Sequence, residues 1–234
     1  MDQLEPSQII PVSSLAEARR VAFYRKTYTH VALAVLLFIV VEYLLFQSET
    51  IVNFALSLLG GWSWLLLLGG FMLVTNYAEN LALRSKDKNV HYAALLLYVI
   101  AEAFIFIPLL FMAFSVVDGV AILEQAAVLT LALFVGLSAV VFMTKKDFSF
   151  LRSALTIGFV IALGLIIAGT LFGFDLGLWF SVAMVALAAG SILYTTSNMV
   201  HKYEEDQYVA AALGLFASLM LLFWYILRIF LSRD

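Results

Sequence analysis

Two glutamates, Glu42 and Glu102, each stand inside a long apolar run of this 234-residue sequence, and neither run contains a Lys or Arg. A charged side chain in hydrocarbon costs roughly 2.5–3.5 kcal/mol on insertion scales. Each glutamate is therefore either a neutral carboxyl that hydrogen-bonds a neighbouring helix, or a group that faces a water-filled crevice. In the second case it would sense protons or bind a cation. We take Glu102 and Glu42 as candidates for that role, and the sequence leaves both alternatives open.

The depth of Glu102 can be estimated from the rise of a helix. Glu102 lies eleven residues beyond His91, which is about 16 Å at 1.5 Å per residue. Ser218 lies twelve residues beyond Asp206 in another apolar run, or about 18 Å by the same rise. Both side chains are thus predicted near the midplane of a hydrocarbon core about 30 Å thick.

Other kinds of chemistry find little support. The sequence has no cysteine, which excludes disulfides, thiolate catalysis and Cys-ligated metals. The segment Gly214–Ser218 is not a GxSxG elbow, and no histidine lies at its depth to activate the serine. The segment His201–Asp206 has ligand-type residues without the HExxH spacing. We therefore expect no catalytic residues, no metal site and no cofactor, and we expect that the protein is not an enzyme.

The amino-acid composition indicates what surrounds the folded chain. Hydrophobic residues make up 64% of the chain and charged residues 12%, whereas soluble domains are about half apolar and a quarter charged. A lipid bilayer is the simplest environment for such a chain. The net charge of −3 and the lack of a basic run argue against nucleic acid.

Seven runs are long enough to cross a bilayer, and backbone groups in lipid must be satisfied within each segment, so we predict helices. The predicted spans are 28–47, 54–78, 91–114, 121–143, 153–173, 177–199 and 207–231. The expected fold class is an all-α, polytopic membrane protein with no separate globular domain.

The distribution of Lys and Arg predicts the orientation of the chain in the membrane. Eleven fall on one face: Arg19, Arg20, Arg25, Lys26, Arg84, Lys86, Lys88, Lys145, Lys146, Arg152 and Lys202. The opposite face has Arg228 and Arg233 at the far end of the last span. Because basic residues stay in the cytoplasm, we predict a cytoplasmic N-terminus and an outside C-terminus.

The N-terminal part is predicted as a tail. We expect three regions: a cytoplasmic tail and short surface helix over 1–26, the transmembrane domain over 27–231, and a C-terminal tail over 232–234. The first 26 residues are charged and lack an apolar core, so they are not a cleavable signal. Residues 1–13 are predicted disordered, and Ser14–Glu17 has a capping-box pattern that would start the surface helix.

Small residues predict where helices pack closely. Gly169 and Gly173 form a GxxxG in the fifth span. Further small residues are Gly60, Gly61, Gly69 and Gly70 in the second span and Ala186, Ala188, Ala189, Gly190 and Ser191 in the sixth. We expect tight packing within one bundle, and oligomerisation through these faces is the alternative. Pro108 is predicted to kink the third span, because it removes a backbone hydrogen bond.

Several segments together resemble the Bax inhibitor-1 family, in particular its bacterial YccA-type branch. The resemblance begins near residue 20 and is carried by Phe23–Tyr28, Glu102–Pro108, Thr144–Phe150, Ile192–His201 and Ser232–Asp234. The Glu102–Pro108 segment resembles a Glu–Gly…Gly–Pro pattern of the family, with both glycines replaced.

The resemblance implies a seven-helix fold with the last helix near the centre. Some members of the family are described as pH-sensitive calcium leaks, with an aspartate in span six, another in span seven and a basic latch in span two. Those aspartates fall on Thr195 and Ser218, and the predicted second span has no Lys or Arg. Two hydroxyls bind a cation weakly and do not titrate near neutral pH. If a leak for Ca²⁺ operates here, Glu102 is the expected sensor.

The YccA-type branch implies a different role, in the bacterial inner membrane. Such proteins associate with the membrane-bound AAA+ protease FtsH and modulate its degradation of membrane proteins. The N-terminal tail, residues 1–13, is a segment that such a protease could grip. A cation leak and a protease modulator therefore stand as alternative functions, and the ion, the partner and the oligomeric state stay open.

Overall fold

The computed structural model describes residues 11–85 and 87–232. These residues form eight α-helices: α1 (Glu17–Phe46), α2 (Glu49–Ser57), α3 (Gly61–Arg84), α4 (Lys88–Ser115), α5 (Gly119–Thr144), α6 (Leu151–Phe172), α7 (Gly177–His201) and α8 (Tyr208–Leu231). All except α2 are long and apolar enough to cross a membrane. The described residues form an all-helical, multi-pass membrane protein, which confirms the predicted number of seven spans.

Helix α8 is the centre of the bundle. It packs against α1, α3, α4, α5 and α7, and most of its residues are buried. The outer spans instead present large apolar side chains to the outside, such as Leu66 and Leu73 of α3, which are 76% and 75% exposed. Such surfaces are stable only in lipid. The central position of the last helix is what the family resemblance implies.

The connections gather at two ends of the bundle. At one end Arg19 lies 3.3 Å from Glu205, and the Ser197 hydroxyl donates to Asp147 over 3.3 Å. We call this the basic end, because the Lys- and Arg-rich connections lie there. At the opposite end Arg228 lies 3.7 Å from Asp175. Which end faces the cytoplasm stays a prediction.

Helix α4 begins and ends at well-defined signals. The Asp87 side chain accepts the Asn89 N–H over 2.9 Å and caps the helix. The helix continues through the buried Pro108 to Ser115. A tight reversal follows, where a Cβ on Gly119 would collide with the carbonyl oxygen of Ala113. Glycine is therefore required at the start of α5.

The second predicted span, 54–78, is wrong in its bounds. The chain first forms the short helix α2, capped by Ser48, whose hydroxyl accepts the Ile51 N–H over 3.4 Å. Val52 and Ala55 of α2 pack against Ile107 of α4. A break then precedes α3, where Gly61 has a φ of 50°. Hydropathy does not detect this break, because the residues on both sides of it are apolar.

The start of α1 also differs from the prediction. The helix begins at Glu17 with Ala16 at its cap and no side-chain cap bond, so the predicted capping box is wrong. The Ser14 hydroxyl instead donates to the carbonyl of Pro11 over 2.7 Å. Residues Val12–Ser14 form a 3-10 turn in which Val12 is fully buried. The predicted disordered tail is therefore wrong for its last three residues, and residues 1–10 lie outside the described part of the chain.

The predicted glycine contacts are only partly present. Among the described residues, nothing lies within 4 Å of a Cβ placed on Gly60, Gly61, Gly69 or Gly70. Tight packing at those four positions was therefore a wrong prediction. Gly173 ends α6 with a φ of 74°, and a Cβ on Gly169 would lie 3.0 Å from the carbonyl oxygen of Phe174. The Gly169 and Gly173 pair thus shapes a turn of its own connection.

Candidate functional site

A cavity of about 480 Å³ extends inward from the basic end, between α3, α4, α6, α7 and α8. We call it the basic-end cavity. Its polar lining residues are Glu79, Tyr98, Glu102, Arg152, Thr156, Ser191, Tyr194, Thr195, Asn198, Tyr203 and Ser218. Carboxyl and hydroxyl groups are thus drawn from five helices and one loop into a single space.

A second cavity, of about 320 Å³, extends from the opposite end. We call it the opposite-end cavity. Trp64 and Trp224 are among its apolar lining residues, and the Asp175–Arg228 ion pair, 3.7 Å long, also lines it. Both partners are exposed on their side chains, 83% and 38%, so the pair contributes little to stability and stays accessible to solvent.

Three residues line both cavities: Phe71 of α3, Glu102 of α4 and Leu221 of α8. They lie thirteen, fourteen and thirteen residues from the basic ends of their helices, which is about 20 Å in each case. They therefore form a partition near the midplane. Glu102 is the polar member of this partition, and its carboxyl stands where the two cavities approach one another.

The Glu102 side chain is 6% exposed. Within residues 11–85 and 87–232, no group is hydrogen-bonded to its carboxyl. A cation at the partition would therefore meet a carboxyl with free oxygen atoms. Each cavity also has one arginine in its lining, Arg152 in the basic-end cavity and Arg228 in the opposite-end cavity.

A hydroxyl cluster lies on the α7–α8 side of the basic-end cavity. Ser218 Oγ lies 3.0 Å from Ser191 Oγ and 3.3 Å from Thr195 Oγ1. Ser218 itself donates to the Gly214 carbonyl over 3.0 Å, so the other two hydroxyls donate to Ser218. The close approach is favoured by Gly214, because a Cβ there would lie 3.2 Å from Thr195 Cγ2, which is closer than an ordinary contact. The remaining lone pairs of Ser191 and Thr195 are available to a cation.

The structure brings three predicted residues together. Glu102, Thr195 and Ser218 all line the basic-end cavity, and the Thr195–Ser218 contact joins the two positions that match the family aspartate pair. Glu42 lies elsewhere, in a third cavity that shares none of these lining residues. Gly169 lines the opposite-end cavity. Gly173 and Pro108 line none of the three cavities.

One acidic residue of the site was missed. The prediction that Glu42 and Glu102 are the acids within the spans is wrong, because α3 continues to Arg84 and includes Glu79, and Glu124 lies in α5. Glu79 lies five residues from that end, at a depth of about 7 Å. A signal was present, since a basic residue such as Arg84 is typical of the last turn of a helix.

A second polar cluster at the basic end holds a loop in place. The Ser197 hydroxyl accepts the Phe148 N–H over 2.9 Å and donates to Asp147 over 3.3 Å. The Ser149 N–H donates to Asp147 over 2.8 Å, and the donor groups of Ser149 beside this carboxyl lower its pKa. The ring nitrogen Nδ1 of His201 lies 2.9 Å from the Ser197 carbonyl. This serine is therefore engaged in fixing the loop before α6.

No three His, Asp or Glu side chains of the described ranges are placed to hold a metal ion together. The oxygen atoms that a cation would meet are instead spread along the basic-end cavity, from Glu79 through the hydroxyl cluster to Glu102.

The sequence profile of the family described as "Inhibitor of apoptosis-promoting Bax1" matches residues 20–234. Mouse protein lifeguard 4 is 29% identical over 224 residues, which are 93% of this chain and 87% of the relative. An uncharacterized protein of Pseudomonas aeruginosa is 36% identical over 124 residues, 53% of this chain and 55% of the relative.

A relative from Escherichia coli carries a functional name. It is named "Modulator of FtsH protease YccA" and is 37% identical over 100 residues, 42% of this chain and 45% of the relative. In another strain the same protein is named an inner membrane protein. The chain thus spans about half the length of several of the bacterial relatives that it matches.

Proposed function

The chain belongs to the Bax inhibitor-1 family, and we propose that it is a pH-sensitive leak for Ca²⁺ or another small cation through its helix bundle. The observation that carries this proposal is that Glu102 lines both the basic-end and the opposite-end cavity. One carboxyl between two cavities is an arrangement that suits a gated cation path.

The proposed path offers oxygen atoms at each step. An ion entering from the basic end first meets Glu79, then the Ser191 and Thr195 hydroxyls, and then Glu102. Carboxylate and hydroxyl oxygens are suitable ligands for a hard cation such as Ca²⁺. Protonation of Glu102 would remove its negative charge, which makes flux depend on pH.

Phe71 and Leu221 supply the barrier in this proposal. They line the partition together with Glu102, and apolar side chains at a narrow point block a hydrated ion. The structure then corresponds to a closed leak, and opening needs these two side chains to move apart.

The test is calcium flux into liposomes that contain the pure protein, measured at pH 6 and pH 8 beside empty liposomes. We expect flux that changes between the two pH values in the native protein and is lost in Glu102→Gln. Glu205→Gln is a matched control, because Glu205 is an exposed acid outside both cavities. Flux equal to that of empty liposomes at both pH values would end the proposal.

A second candidate function is modulation of a membrane-bound protease of the FtsH type. It is favoured by the name of the Escherichia coli relative. We propose that the protease would bind the N-terminal segment that precedes Val12. The backbone of Val12 itself is fixed to the α7–α8 connection. Deletion of residues 1–10 should then weaken binding to the protease and leave calcium flux unchanged. If protease binding and substrate turnover are unaltered by the deletion, the N-terminal segment does not have this role.

The proposed location is the bacterial inner membrane, with the N-terminus in the cytoplasm and the C-terminus outside. The asymmetry of Lys and Arg supports this orientation, and the name of the Escherichia coli relative supports the membrane. Accessibility of single cysteines placed at Ser85 and Ser232 in intact cells would test it, since the native sequence has no cysteine.

A further inference from the structure

A third cavity, of about 550 Å³, opens on the side of the bundle between α1, α4, α5 and α8. We call it the lateral groove. Its rim is formed by apolar and aromatic side chains that are about half exposed, among them Ile39 at 55%, Phe114 at 51% and Leu131 at 50%. In a bilayer this groove opens to lipid, since the same faces of these helices are apolar.

Glu42 is the acidic residue that lines the lateral groove. It is 6% exposed, and neither of its carboxyl oxygens has a hydrogen-bond partner in the described part of the chain. The nearby Thr130 does not supply one, because its hydroxyl donates to the Ala126 carbonyl over 2.7 Å. The predicted hydrogen bond from Glu42 to a neighbouring helix is therefore absent among these residues. A buried carboxyl without partners is costly, so an external donor would stabilise it.

The depth of Glu42 indicates what kind of molecule could supply that donor. Glu42 lies four residues before the end of α1 at Phe46, or about 6 Å from the opposite end of the bundle. The groove continues to Leu219, twelve residues from the end of α8, or about 18 Å deep. The groove thus runs from the level of the lipid headgroups toward the midplane. Its one carboxyl lies near the headgroup level.

We propose that the lateral groove binds a bilayer lipid whose headgroup ends in a primary ammonium, with one acyl chain in the groove and the ammonium at Glu42. A primary ammonium has three N–H donors and a positive charge, so it can satisfy both carboxyl oxygens and neutralise the carboxylate. A quaternary headgroup has no N–H, and an anionic headgroup would be repelled. The volume lies within the range of about 300–1,000 Å³ that is usual for small-molecule sites.

This inference is independent of the proposed leak, because the lateral groove shares no lining residue with the two cavities that meet at Glu102. Loss of lipid binding and loss of ion flux can therefore be separated by different variants. The groove is also closed off from the partition by α8, which contributes Leu219 and Met220 on one side and Leu221 on the other.

The test uses the full chain in nanodiscs made from equal amounts of phosphatidylethanolamine and phosphatidylcholine. Native mass spectrometry of the released protein measures the ratio of the two lipids that stay bound. We expect about tenfold enrichment of phosphatidylethanolamine in the native protein, which corresponds to about 1.4 kcal/mol. In Glu42→Gln the ratio should return to that of the bilayer. Glu102→Gln, a change of a buried carboxyl outside the groove, should keep the enrichment.

A second variant tests the groove itself. Ala127 lines the groove on α5, and Ala127→Phe would fill it without altering Glu42. We expect fewer retained lipids of both kinds in Ala127→Phe. Thermal unfolding shows whether Glu42→Gln and Ala127→Phe are folded. If one of them is not, the test rests on the variant that does fold. Equal ratios in the native protein and Glu42→Gln, or a preference for phosphatidylcholine, would overturn the proposal.

Discussion

The backbone N–H of Val12 donates a 3.0 Å hydrogen bond to the carbonyl of Tyr203, whose side chain lines the basic-end cavity. A fully buried residue of the N-terminal segment is thereby fixed to the loop at the mouth of that cavity. The two proposed functions would meet at this contact, because a force applied to the N-terminus would be transmitted to Tyr203.

Val12→Pro tests this connection. Proline lacks the N–H, and it fits the backbone here, because Pro11 has a ψ of 151°, which a following proline favours. We expect the variant to lose about 0.5–1.5 kcal/mol of stability and to show faster hydrogen exchange over residues 202–207. Glu205→Gln is the control, since it breaks the exposed ion pair with Arg19, which should change stability by less than about 1 kcal/mol. Unchanged exchange in Val12→Pro would show that the hydrogen bond does not hold the loop.

Leu221→Ala should open the partition. Leu221 lines both cavities, and truncation removes apolar bulk from the barrier. We expect cation flux to rise about tenfold, which corresponds to a barrier lower by about 1.4 kcal/mol. Leu219→Ala on the same helix is the matched control, because Leu219 faces the lateral groove. A similar rise in both variants would indicate general loosening of α8 instead of an opened path.

Glu79→Gln tests the acid of the basic-end cavity that lies nearer to its mouth. Glu79 lines the cavity before Glu102 on the proposed path, so its charge should attract cations toward the partition. Losing about 1 kcal/mol of attraction would slow entry about fivefold. The effect should shrink at high salt, because part of this attraction is screened. A fall in flux that does not depend on ionic strength would argue for a structural role of this side chain.

The sequence predicts the spans well, because a bilayer requires about 20 apolar residues and short connections leave few alternatives. The basic-end cavity could not be predicted from the sequence, since hydropathy does not show that α3 lies beside α6 and α8. Thr195 was found through the family resemblance alone, whereas Ser218 was also placed near the midplane by the rise of its helix. Glu79 was missed because the second span was placed about two turns too early, and α2 was missed because its apolar residues merge with those of α3.

The Tyr203 hydroxyl should titrate late. Burial raises the pKa of Tyr203 to about 12, whereas an exposed tyrosine has a pKa near 10. Its contribution to stability is therefore fully present below about pH 10 and is lost as the pH rises through about 12. Ultraviolet titration of the native protein minus Tyr203→Phe should show the phenolate of this residue above pH 11. A difference signal that is complete by about pH 10.5 would contradict the burial of the hydroxyl.

The last prediction concerns the two positions that match the family aspartates. Thr195 Oγ1 and Ser218 Oγ lie 3.3 Å apart, so Thr195→Asp with Ser218→Asp would place two carboxyls side by side at the wall of the basic-end cavity. Two carboxylates at such a distance cannot both ionise freely and would share one proton over part of the pH range. We expect the double variant to add a pH-dependent component to calcium flux that persists when Glu102 is replaced by Gln. Thr195→Asn with Ser218→Asn keeps the shape without titratable groups, and it should add no such component. If the aspartate and asparagine variants behave alike, geometry at the α7–α8 contact controls flux, and charge there does not.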